Sequence, residues 1–423
     1  MKLGFVVQRY GAAIAGGSEE HCRQLAERLL PRHDITVLTT CARDYVTWEN
    51  TFPAGAAVEN GVRVLRFPVA QPRRMKVFAD LSDEVFDGGA PLERQEEWFR
   101  ENGPEVPGLL DHLREEGSSY DLILFWTYRY FPSYFGLPLV AERAVLVPTA
   151  EEDPAIDLGV LCEFFRLPKG YIFLTPEEEQ LVSSRAGGPL GPSVTIGIGL
   201  DPEPSPADSR AQLDEIGIPG DYLLYLGRVD RNKGCDTLFD YMQSYTGEGN
   251  DAHLVLAGPA KMQVPADPHI RALGYVSDQI RRSLLTHARA LIVPSPYESL
   301  SIVLLEAWNH GIPAIVNEWC KVLAGLVARA NGGLSYRTAS EFHEVLQYFA
   351  THPRERDVMG RQGLAYIERE YRWPTVLARV EGLLEQIVRV SPPRRSAESA
   401  PAGLPPTGTP ARPEGRRPPP ARR

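Results

Sequence analysis

Short apolar runs alternate with longer stretches of helical spacing along most of this chain. Apolar runs of this length, bounded by glycine, proline or charged residues, are typical of strands buried in a parallel sheet. The predicted strands are Lys2–Val7, Asp34–Thr40, Val62–Phe67, Asp121–Trp126, Ala144–Val147, Tyr171–Thr175, Ser193–Ile196, Tyr222–Leu226, His253–Ala257, Ala290–Pro294 and Ala314–Asn317. Because helices are predicted between them, the repeated β–α units indicate an α/β fold with parallel sheets covered on both faces.

The predicted elements fall into two domains. A length of 423 residues favours two domains over one. The series of strands is interrupted at 197–206, a segment rich in proline, glycine and aspartate, and then starts again. We therefore predict one doubly wound, Rossmann-like domain over residues 1–200 and a second over 201–372. A final helix, with proline in its first turn, is predicted over 373–390.

Residues 391–423 differ from the rest of the chain in composition. They contain ten prolines and seven arginines against two glutamates, with almost no apolar residues. Such a segment cannot bury a core and is predicted to be disordered. A basic tail of this kind suits contact with an anionic membrane surface or with another protein. A solvated extension without a binding role is the alternative.

Charge and composition argue against several classes of protein. The net charge of −10 argues against nucleic-acid binding, which normally requires a basic face. No apolar run approaches the roughly 20 residues of a transmembrane helix, and the N-terminus lacks the pattern of a signal peptide. The five cysteines are scattered, without the spacing of a metal site or a disulfide framework. We therefore expect a cytoplasmic protein, with peripheral contact to the inner face of the membrane as an option.

Two glutamates lie on either side of a predicted helix start. Glu298 follows the strand at Ala290–Pro294, and Glu306 lies inside the apolar helical run that comes next. Leu300 and Ser301 are predicted at the N-terminus of that helix, where free N–H groups and the helix dipole favour a phosphate. Carboxylates that flank an anion site suit a nucleotide sugar, which has hydroxyls at both ends. The structural alternative is that Glu298 caps the helix and Glu306 is an ordinary helix residue.

Two cations follow another predicted strand. Arg228 and Lys233 lie in the loop after Tyr222–Leu226, and Gly227 and Gly234 allow that loop to be tight. An arginine fork and a lysine point charge beside a helix start form a binding site for a diphosphate. The chain contains no Asp-x-Asp sequence, so we expect these fixed positive groups to act without a metal ion or another cofactor. A solvated loop with surface ion pairs is the alternative.

A glycine-rich loop follows the first predicted strand. Gly16 and Gly17 lie between Lys2–Val7 and a helical run that begins near Glu20. Strand, glycine loop and helix form the start of a mononucleotide-binding unit, in which glycine lets the backbone approach a ligand closely. The spacing is not Gly-x-Gly-x-x-Gly, and no acidic residue follows a second strand at the required point. A dinucleotide cofactor is therefore not expected.

Together these three motifs resemble those of the retaining glycosyltransferases of family 4. The family signature is Glu-Gly-Phe-Gly-Leu-x-x-x-Glu, and this chain keeps both glutamates but has serine in place of each glycine. The resemblance implies a GT-B fold, in which two Rossmann-like domains face each other across a cleft and the last helix crosses back to the first domain. It implies catalytic roles for Glu298, Arg228 and Lys233. It implies donor contacts from Gly16, Gly17, Gly227, Val276, Ser299, Leu300, Ser301 and Glu306.

The acceptor side carries an acidic cluster. Members of the family usually place a histidine after the fourth or fifth strand of the first domain. The comparable stretch of this chain has Glu151 at that place, followed by Glu152 and Asp153. These carboxylates are candidates for binding acceptor hydroxyls or a cationic amino sugar. An exposed helix start, where carboxylates are favoured, explains them equally well.

The resemblance implies transfer of a sugar from a UDP- or GDP-linked donor to a hydroxyl, with an α-linkage in the product. The acceptor expected from it is a carbohydrate, a lipid-linked molecule or a small molecule. A sugar-nucleotide epimerase on the same fold is one alternative, but it normally needs acid–base residues in both domains, and no such histidine or aspartate set is evident. A non-catalytic binding or scaffold protein is the other alternative, favoured by Ser299, Ser301 and the missing histidine.

Overall fold

Two sheets, one in each half of the chain, form the framework of the molecule. The computed structural model describes residues 1–14, 16–203 and 209–390. The basic tail at 391–423 and the end of the segment at 197–206, which is the predicted linker between the two domains, lie outside the described residues. The α/β class predicted from the alternation of apolar runs and helical stretches is confirmed, since both sheets are mainly parallel and connected by helices.

The first sheet, within the described residues, has eight strands in the spatial order β3–β4–β2–β1–β5–β6–β7–β8. Their bounds are β1 Lys2–Val6, β2 Asp34–Thr40, β3 Gly55–Glu59, β4 Val62–Phe67, β5 Leu122–Trp126, β6 Ala144–Val147, β7 Gly170–Phe173 and β8 Ser193–Thr195. Neighbouring strands are parallel except β3 and β4, which form an antiparallel hairpin at one edge. The pattern of apolar runs does not predict β3.

The second sheet has six strands in the described part of the chain, in the order β11–β10–β9–β12–β13–β14, and all are parallel. Their bounds are β9 Leu223–Leu226, β10 Leu254–Ala257, β11 Ile270–Ala272, β12 Ala290–Val293, β13 Ala314–Asn317 and β14 Gly333–Tyr336. The two outermost strands, β11 and β14, are absent from the sequence prediction. In the middle of the sheet β9 pairs with β12, which brings the loops after these two strands together.

Helices connect the strands. The α-helices are α1 Gly17–Leu29, α2 Met75–Phe86, α3 Leu92–Asn102, α4 Pro107–Glu116, α5 Phe131–Gly136, α6 Leu161–Phe164, α7 Pro176–Arg185, α8 Ser209–Glu215, α9 Cys235–Gly247, α10 Asp278–His287, α11 Ile302–Asn309, α12 Lys321–Ala330, α13 Ala339–Thr351, α14 Pro353–Glu370 and α15 Trp373–Val390. Short 3₁₀ helices cover Gly117–Ser119, Leu137–Arg143, Pro154–Asp157 and Arg231–Lys233. None of the helices within the described ranges combines the length and apolar composition needed to cross a membrane.

The central strands of the first sheet are buried on both faces. Phe5 and Trp126 pack in an apolar cluster on one face, whereas their neighbours in sequence, Val6 and Phe125, pack in a cluster on the other. Side chains alternate across a strand, so a strand with helices on both sides must be apolar at every position. This is why β1 and β5 occur in the sequence as continuous apolar runs.

The last helix completes the core of the first half of the chain. Val376, Val380, Leu384 and Ile387 recur at spacings of three or four residues and so lie on one face of α15. All four are buried in the same cluster as Phe5 of β1. Although α15 follows the second sheet in sequence, it therefore packs on the first.

Candidate active site

A cavity of about 420 Å³ lies between the two halves of the chain, at the carboxyl ends of the central strands. In α/β proteins ligands bind at this edge of a sheet. The first half supplies residues from the loops after β1, β5 and β6, and the second half supplies residues from the loops after β9 and β12. The lining includes Gln8, Arg9, Gly16, Gly17, Glu19, Thr127, Thr149, Glu151, Arg228, Lys233, Glu298, Ser299 and Leu300. We call this space the central cavity.

An ion pair between Lys233 and Glu298 lies in the wall of the central cavity. Lys233 Nζ donates to Glu298 Oε1 at 2.8 Å. The two residues meet because β9 and β12 are neighbours and Gly234, at φ 72°, turns the β9–α9 loop back. A Cβ at Gly234 would collide with the Pro294 carbonyl oxygen. Burial lowers the pKa of Lys233, but the Glu298 carboxylate outweighs it and raises the pKa above its ordinary value, so the lysine stays charged.

Arg228 lies in the same loop and connects the two halves of the chain. Its Nε is 3.0 Å from Asp230 Oδ2, and its Nη1 donates to the Tyr45 hydroxyl of the first half at 3.0 Å. These contacts hold the guanidinium in one direction. A second cation, Lys233, lies in the same cavity. Sequence reasoning missed Tyr45, because it belongs to no motif and meets Arg228 only through the tertiary fold. It also missed Asp230, although this residue lies between Arg228 and Lys233 in the same loop.

The N-terminus of α11 borders the central cavity through Ser299 and Leu300. Ser301 is the N-cap residue, yet its side chain makes no cap hydrogen bond. Its Oγ is buried and has no hydrogen-bond partner among the described residues. That side chain therefore does not cap the first N–H groups of α11. An anion-binding helix end needs such uncapped N–H groups. Ser301 itself lies just behind the lining.

Glu306 lies further along α11, outside the lining of the central cavity. The guanidinium of Arg281, from α10, contacts its carboxylate. Burial raises the pKa of Glu306 above its ordinary value, and Arg281 opposes that rise. Gly227 and Val276, the other predicted donor contacts outside the lining, lie in the loops that follow β9 and β11. Val276 packs on the apolar core of the second half.

The glycine loop forms the opposite wall of the central cavity. Gly16 is the N-cap of α1, and a Cβ there would collide with the carboxylate of Glu19. Glu19 in turn accepts from Arg9 Nε at 2.9 Å in a buried ion pair. Gly17 approaches Ile302 of α11 closely: a Cβ at this glycine would be 3.8 Å from Ile302 Cδ1. Gly16 thus leaves room for the buried Glu19 carboxylate, and Gly17 lies where the two halves meet.

The predicted acidic cluster divides between different environments. Glu151 lines the central cavity, where burial raises its pKa and Arg129 opposes that rise. Glu152 accepts from Lys321 Nζ of the second half at 2.8 Å. Asp153 caps the 3₁₀ helix at Pro154–Asp157 by accepting from the Ala155 N–H at 3.1 Å. Only Glu151 of the three faces the same cavity as Lys233 and Glu298.

Several polar atoms in the wall of the central cavity lack partners in the part of the chain that the structure describes. Gln8 Oε1 and Thr127 Oγ1 are buried and make no hydrogen bond. Buried polar atoms are normally paired, so an unpaired one beside a cavity points to a bound polar ligand. Thr127 and Thr149 also have positive φ angles of 55° and 48°, which are rare for threonine. Such backbone conformations cluster at functional sites.

His21 also lines the central cavity, and one of its two ring nitrogens, Nδ1, is engaged by the protein. Its Nδ1 accepts from Trp126 Nε1 at 3.1 Å, and burial lowers its pKa to about 4. The ring is therefore neutral at physiological pH and serves as the partner of a buried tryptophan.

The site motifs thus converge on the central cavity, but not all of their residues line it. The structure brings together Gly16, Gly17, Glu151, Arg228, Lys233, Glu298, Ser299 and Leu300. It places the following residues elsewhere: Gly227, Val276, Ser301 and Glu306 behind the lining, and Glu152 and Asp153 in other contacts. Arg9 and Thr127 were missed, since no sequence pattern marks them.

Residues 220–348 match the family model described as glycosyl transferases group 1. An uncharacterized glycosyltransferase of Methanocaldococcus jannaschii is 25% identical over 352 residues, an alignment that covers 75% of this chain and 80% of that protein. The matched segment contains the cation pair Arg228 and Lys233 and both glutamates, Glu298 and Glu306.

Solved structures resemble the whole molecule. Sucrose-phosphate synthase from Thermosynechococcus elongatus has a TM-score of 0.65 at 18% identity, over 92% of this chain and 100% of that one. The Anabaena protein HepE, in complex with UDP and glucose, has a TM-score of 0.66 at 14% identity, over 91% and 100%. At these identities the likeness establishes the fold, and the predicted GT-B fold is confirmed. The matched family model and the Methanocaldococcus relative support the glycosyltransferase superfamily and glycosyl transfer as the class of activity.

Proposed function

We propose that this chain is a retaining glycosyltransferase that uses a UDP- or GDP-linked sugar and needs no metal ion. The observation that carries the proposal is the Lys233–Glu298 pair in the wall of the central cavity. Arg228 lies beside this pair, and Gly16 and Gly17 face it from the other half of the chain. A diphosphate, a sugar and an acceptor hydroxyl all need to meet in one place, and this cavity has groups suited to each.

The positive groups suit the departure of the nucleoside diphosphate. When the bond between the anomeric carbon and the phosphate oxygen breaks, negative charge develops on the diphosphate. Lys233, Arg228 and the N-terminus of α11 at Leu300 offer fixed positive charge and N–H donors around that position. Because these groups are held in place by the protein, they stabilise the charge without the help of a metal ion.

The polar groups around the cations suit the donor sugar and the acceptor. Glu298 is placed to accept hydrogen bonds from sugar hydroxyls and so to orient the anomeric carbon. Gln8 and Thr127, whose buried oxygens lack partners among the described residues, can complete this hydrogen bonding. Glu151 lies on the side of the first half, where it shapes the pocket for the acceptor, a carbohydrate, a lipid-linked molecule or a small molecule.

Retention of the anomeric configuration depends on which group takes the proton of the acceptor hydroxyl. In the proposed reaction the acceptor oxygen bonds to the anomeric carbon on the face that the diphosphate leaves. The departing phosphate oxygen takes the proton of the acceptor hydroxyl. An inverting enzyme would instead need a general base behind the anomeric carbon. His21, the histidine in the cavity wall, already uses Nδ1 to accept a hydrogen bond from Trp126.

The test is the anomeric configuration of the product. The full chain is incubated with UDP- and GDP-linked α-sugars, first without and then with acceptors, and the product is followed by proton NMR. We expect slow release of the nucleoside diphosphate from one donor and an α-linked product with an acceptor. A β-linked product would contradict retention. Interconversion of the donor sugars would indicate an epimerase, and no turnover of any donor would indicate a binding or scaffold protein.

A further inference from the structure

A second cavity, of about 360 Å³, lies beside the central one. Glu298 lines both cavities. The segment after β6 also separates them, because Glu151 faces the central cavity whereas Ala150 and Glu152 face the second. A ligand whose one end reacts in the central cavity can therefore extend past Glu298 into the second cavity.

One wall of the second cavity is a single face of α7. Glu177, Gln180, Leu181 and Ser184 line it, and their spacing of three or four residues places them in a row along the helix. Three of the four side chains are polar and can bind hydroxyl groups. The wall thus offers hydrogen-bonding groups along its length, with one apolar side chain among them.

The opposite wall carries aromatic side chains that are exposed but held in position. Trp319, in the loop between β13 and α12, is 69% exposed. Its Nε1 donates to the Arg337 carbonyl at 3.2 Å, and its backbone N–H donates to Asn317 Oδ1 at 3.0 Å. Tyr297, which precedes the shared Glu298, is half exposed. A large exposed aromatic ring with a fixed orientation is typical of a binding surface.

Most charged side chains around the second cavity are paired with each other or with neighbours. Glu178, which also lines it, instead accepts from the backbone N–H groups of Ala150 and Leu174, and burial raises its pKa to about 8. Glu152 binds Lys321 at 2.8 Å, and Arg329 Nη2 donates to Glu177 at 3.0 Å. Glu298 is paired with Lys233 on the side of the central cavity. With its charges neutralised in this way, the second cavity favours an uncharged ligand that has both hydroxyl groups and apolar faces. A pyranose ring has this chemistry, since its C–H groups pack on an aromatic ring while its hydroxyls bind polar side chains.

We propose that the second cavity is a subsite for a further sugar unit of the acceptor, with Trp319 as its stacking platform. This inference rests on the proposed function and specifies its acceptor: a glycan of two or more units rather than a single monosaccharide. The terminal unit lies in the central cavity near Glu151, and the next unit lies between Trp319 and the Gln180 face of α7. Trp319 and Gln180 then determine preference for acceptor length.

The test compares oligosaccharides with monosaccharides in binding to the full chain. Maltotriose, cellotriose, mannotriose and chitotriose, with the matching monosaccharides, are titrated by saturation-transfer-difference NMR. We expect at least one trisaccharide to bind about tenfold more tightly than its monosaccharide, the scale of one added stacking contact. Trp319→Ala should remove most of this gain, whereas Trp319→Phe, which keeps an aromatic ring, should retain most of it. Val58→Ala, at a position with 71% exposure on β3, is the matched control and should retain the whole gain.

The affinity for UDP and GDP is measured on the same variants. It should be the same in the parent and in Trp319→Ala, which also checks that the variant is folded. If no trisaccharide binds more tightly than its monosaccharide, or if Trp319→Ala keeps the gain, the subsite is wrong. If neither UDP nor GDP binds the parent, the proposed transferase function fails. The two failures can be told apart, because nucleotide binding does not depend on the length of the acceptor.

Discussion

Lys233 contacts Glu298 at 2.8 Å, so the cation assigned to the leaving group also holds the carboxylate assigned to the sugar. Removal of the lysine therefore has two consequences. The developing charge on the diphosphate loses a donor, and Glu298 loses the partner that fixes its position in the cavity. Among the residues of the central cavity, Lys233 is for this reason the one whose loss should reduce the rate most.

We expect Lys233→Ala to lower turnover by roughly a hundredfold or more, the scale of losing one transition-state donor. EDTA should leave the activity of the parent unchanged, because fixed protein charges replace a metal ion in the proposed mechanism. Lys261→Ala, at an exposed lysine after β10, is the control and should have the activity of the parent. Steady-state rates with a saturating acceptor test both statements. A Lys233→Ala enzyme as fast as the parent, or a requirement for metal, would refute the assignment.

The two glutamates should affect different kinetic constants. Glu298, in the cavity wall, is proposed to orient the sugar in the transition state, so Glu298→Gln should mainly lower kcat. We propose that Glu306, the predicted donor contact outside the lining, binds the ribose hydroxyls of the donor. These bind equally in the ground and transition states, so Glu306→Gln should mainly raise the KM of the donor. Because Arg281 contacts Glu306, that variant also loses an ion pair. Arg281→Gln separates the two effects. The reverse pattern of kcat and KM would contradict the assignment.

Protonation of His21 should destabilise the fold in acid. An unfolded histidine binds a proton near pH 6.5, whereas burial lowers the pKa of His21 to about 4. Between these values the unfolded chain binds more protons, so stability is lost as the pH falls from about 6.5 to about 4. His21→Gln, which can still accept from Trp126, removes this term. Urea unfolding at pH 7 and pH 4.5 should show that the variant loses roughly 2–3 kcal/mol less than the parent.

At the residue scale, the motifs predicted the charged centre of the site but not its surroundings. Glu298, Arg228 and Lys233 stand in short segments whose spacing is visible in one sequence. Arg9 and Thr127 could not be predicted, because they reach the cavity only when the loops after β1 and β5 meet at the sheet edge. The pairing of Glu306 with Arg281 likewise depends on how α10 packs beside α11.

At the scale of elements, the helix α15 shows most directly how the spacing of apolar residues in the sequence contributes to the stability of the fold. Its apolar face fills the core of the first sheet, and Leu384 is fully buried there. Leu384→Ala should lower the free energy of unfolding by about 2–5 kcal/mol, since it leaves a cavity in a packed core. Val388→Ala, on the same helix at 37% exposure, should change it by less than about 0.5 kcal/mol. Equal effects of the two variants in chemical denaturation would show that α15 does not pack in this way.

The predicted elements and the observed ones differ mainly at sheet edges. The central strands are mostly apolar and were easily predicted. β3 is largely exposed and consists of Gly55 to Glu59, with little β-branched character, so its pattern is weak. The signal that could have found it is the pair Asn60 and Gly61, both at positive φ, which forms the turn of its hairpin with β4. β11 has only three residues, too few for a periodic pattern.

At the scale of the whole molecule, ion pairs join the two halves at the rim of the second cavity. Arg329 of α12 binds Glu177 of α7, and Lys321 binds Glu152. Gly325 allows the first of these, because a Cβ at this position of α12 would collide with the Glu177 carboxylate. The two-domain GT-B arrangement was predicted through the resemblance to a known family. These particular contacts were not predicted, because residues far apart in sequence form them.

The position of α15 also affects the order in which the two halves of the protein can fold on the ribosome. Residues 1–200 are synthesised first, yet the face of their sheet that contains Phe5 is covered only in part, by α1, until the last helix has been made. The second half, which lies between them in sequence, has its own apolar core and can form earlier. Domains usually fold in the order of their synthesis. In this chain the half that is translated first should be the last to become complete.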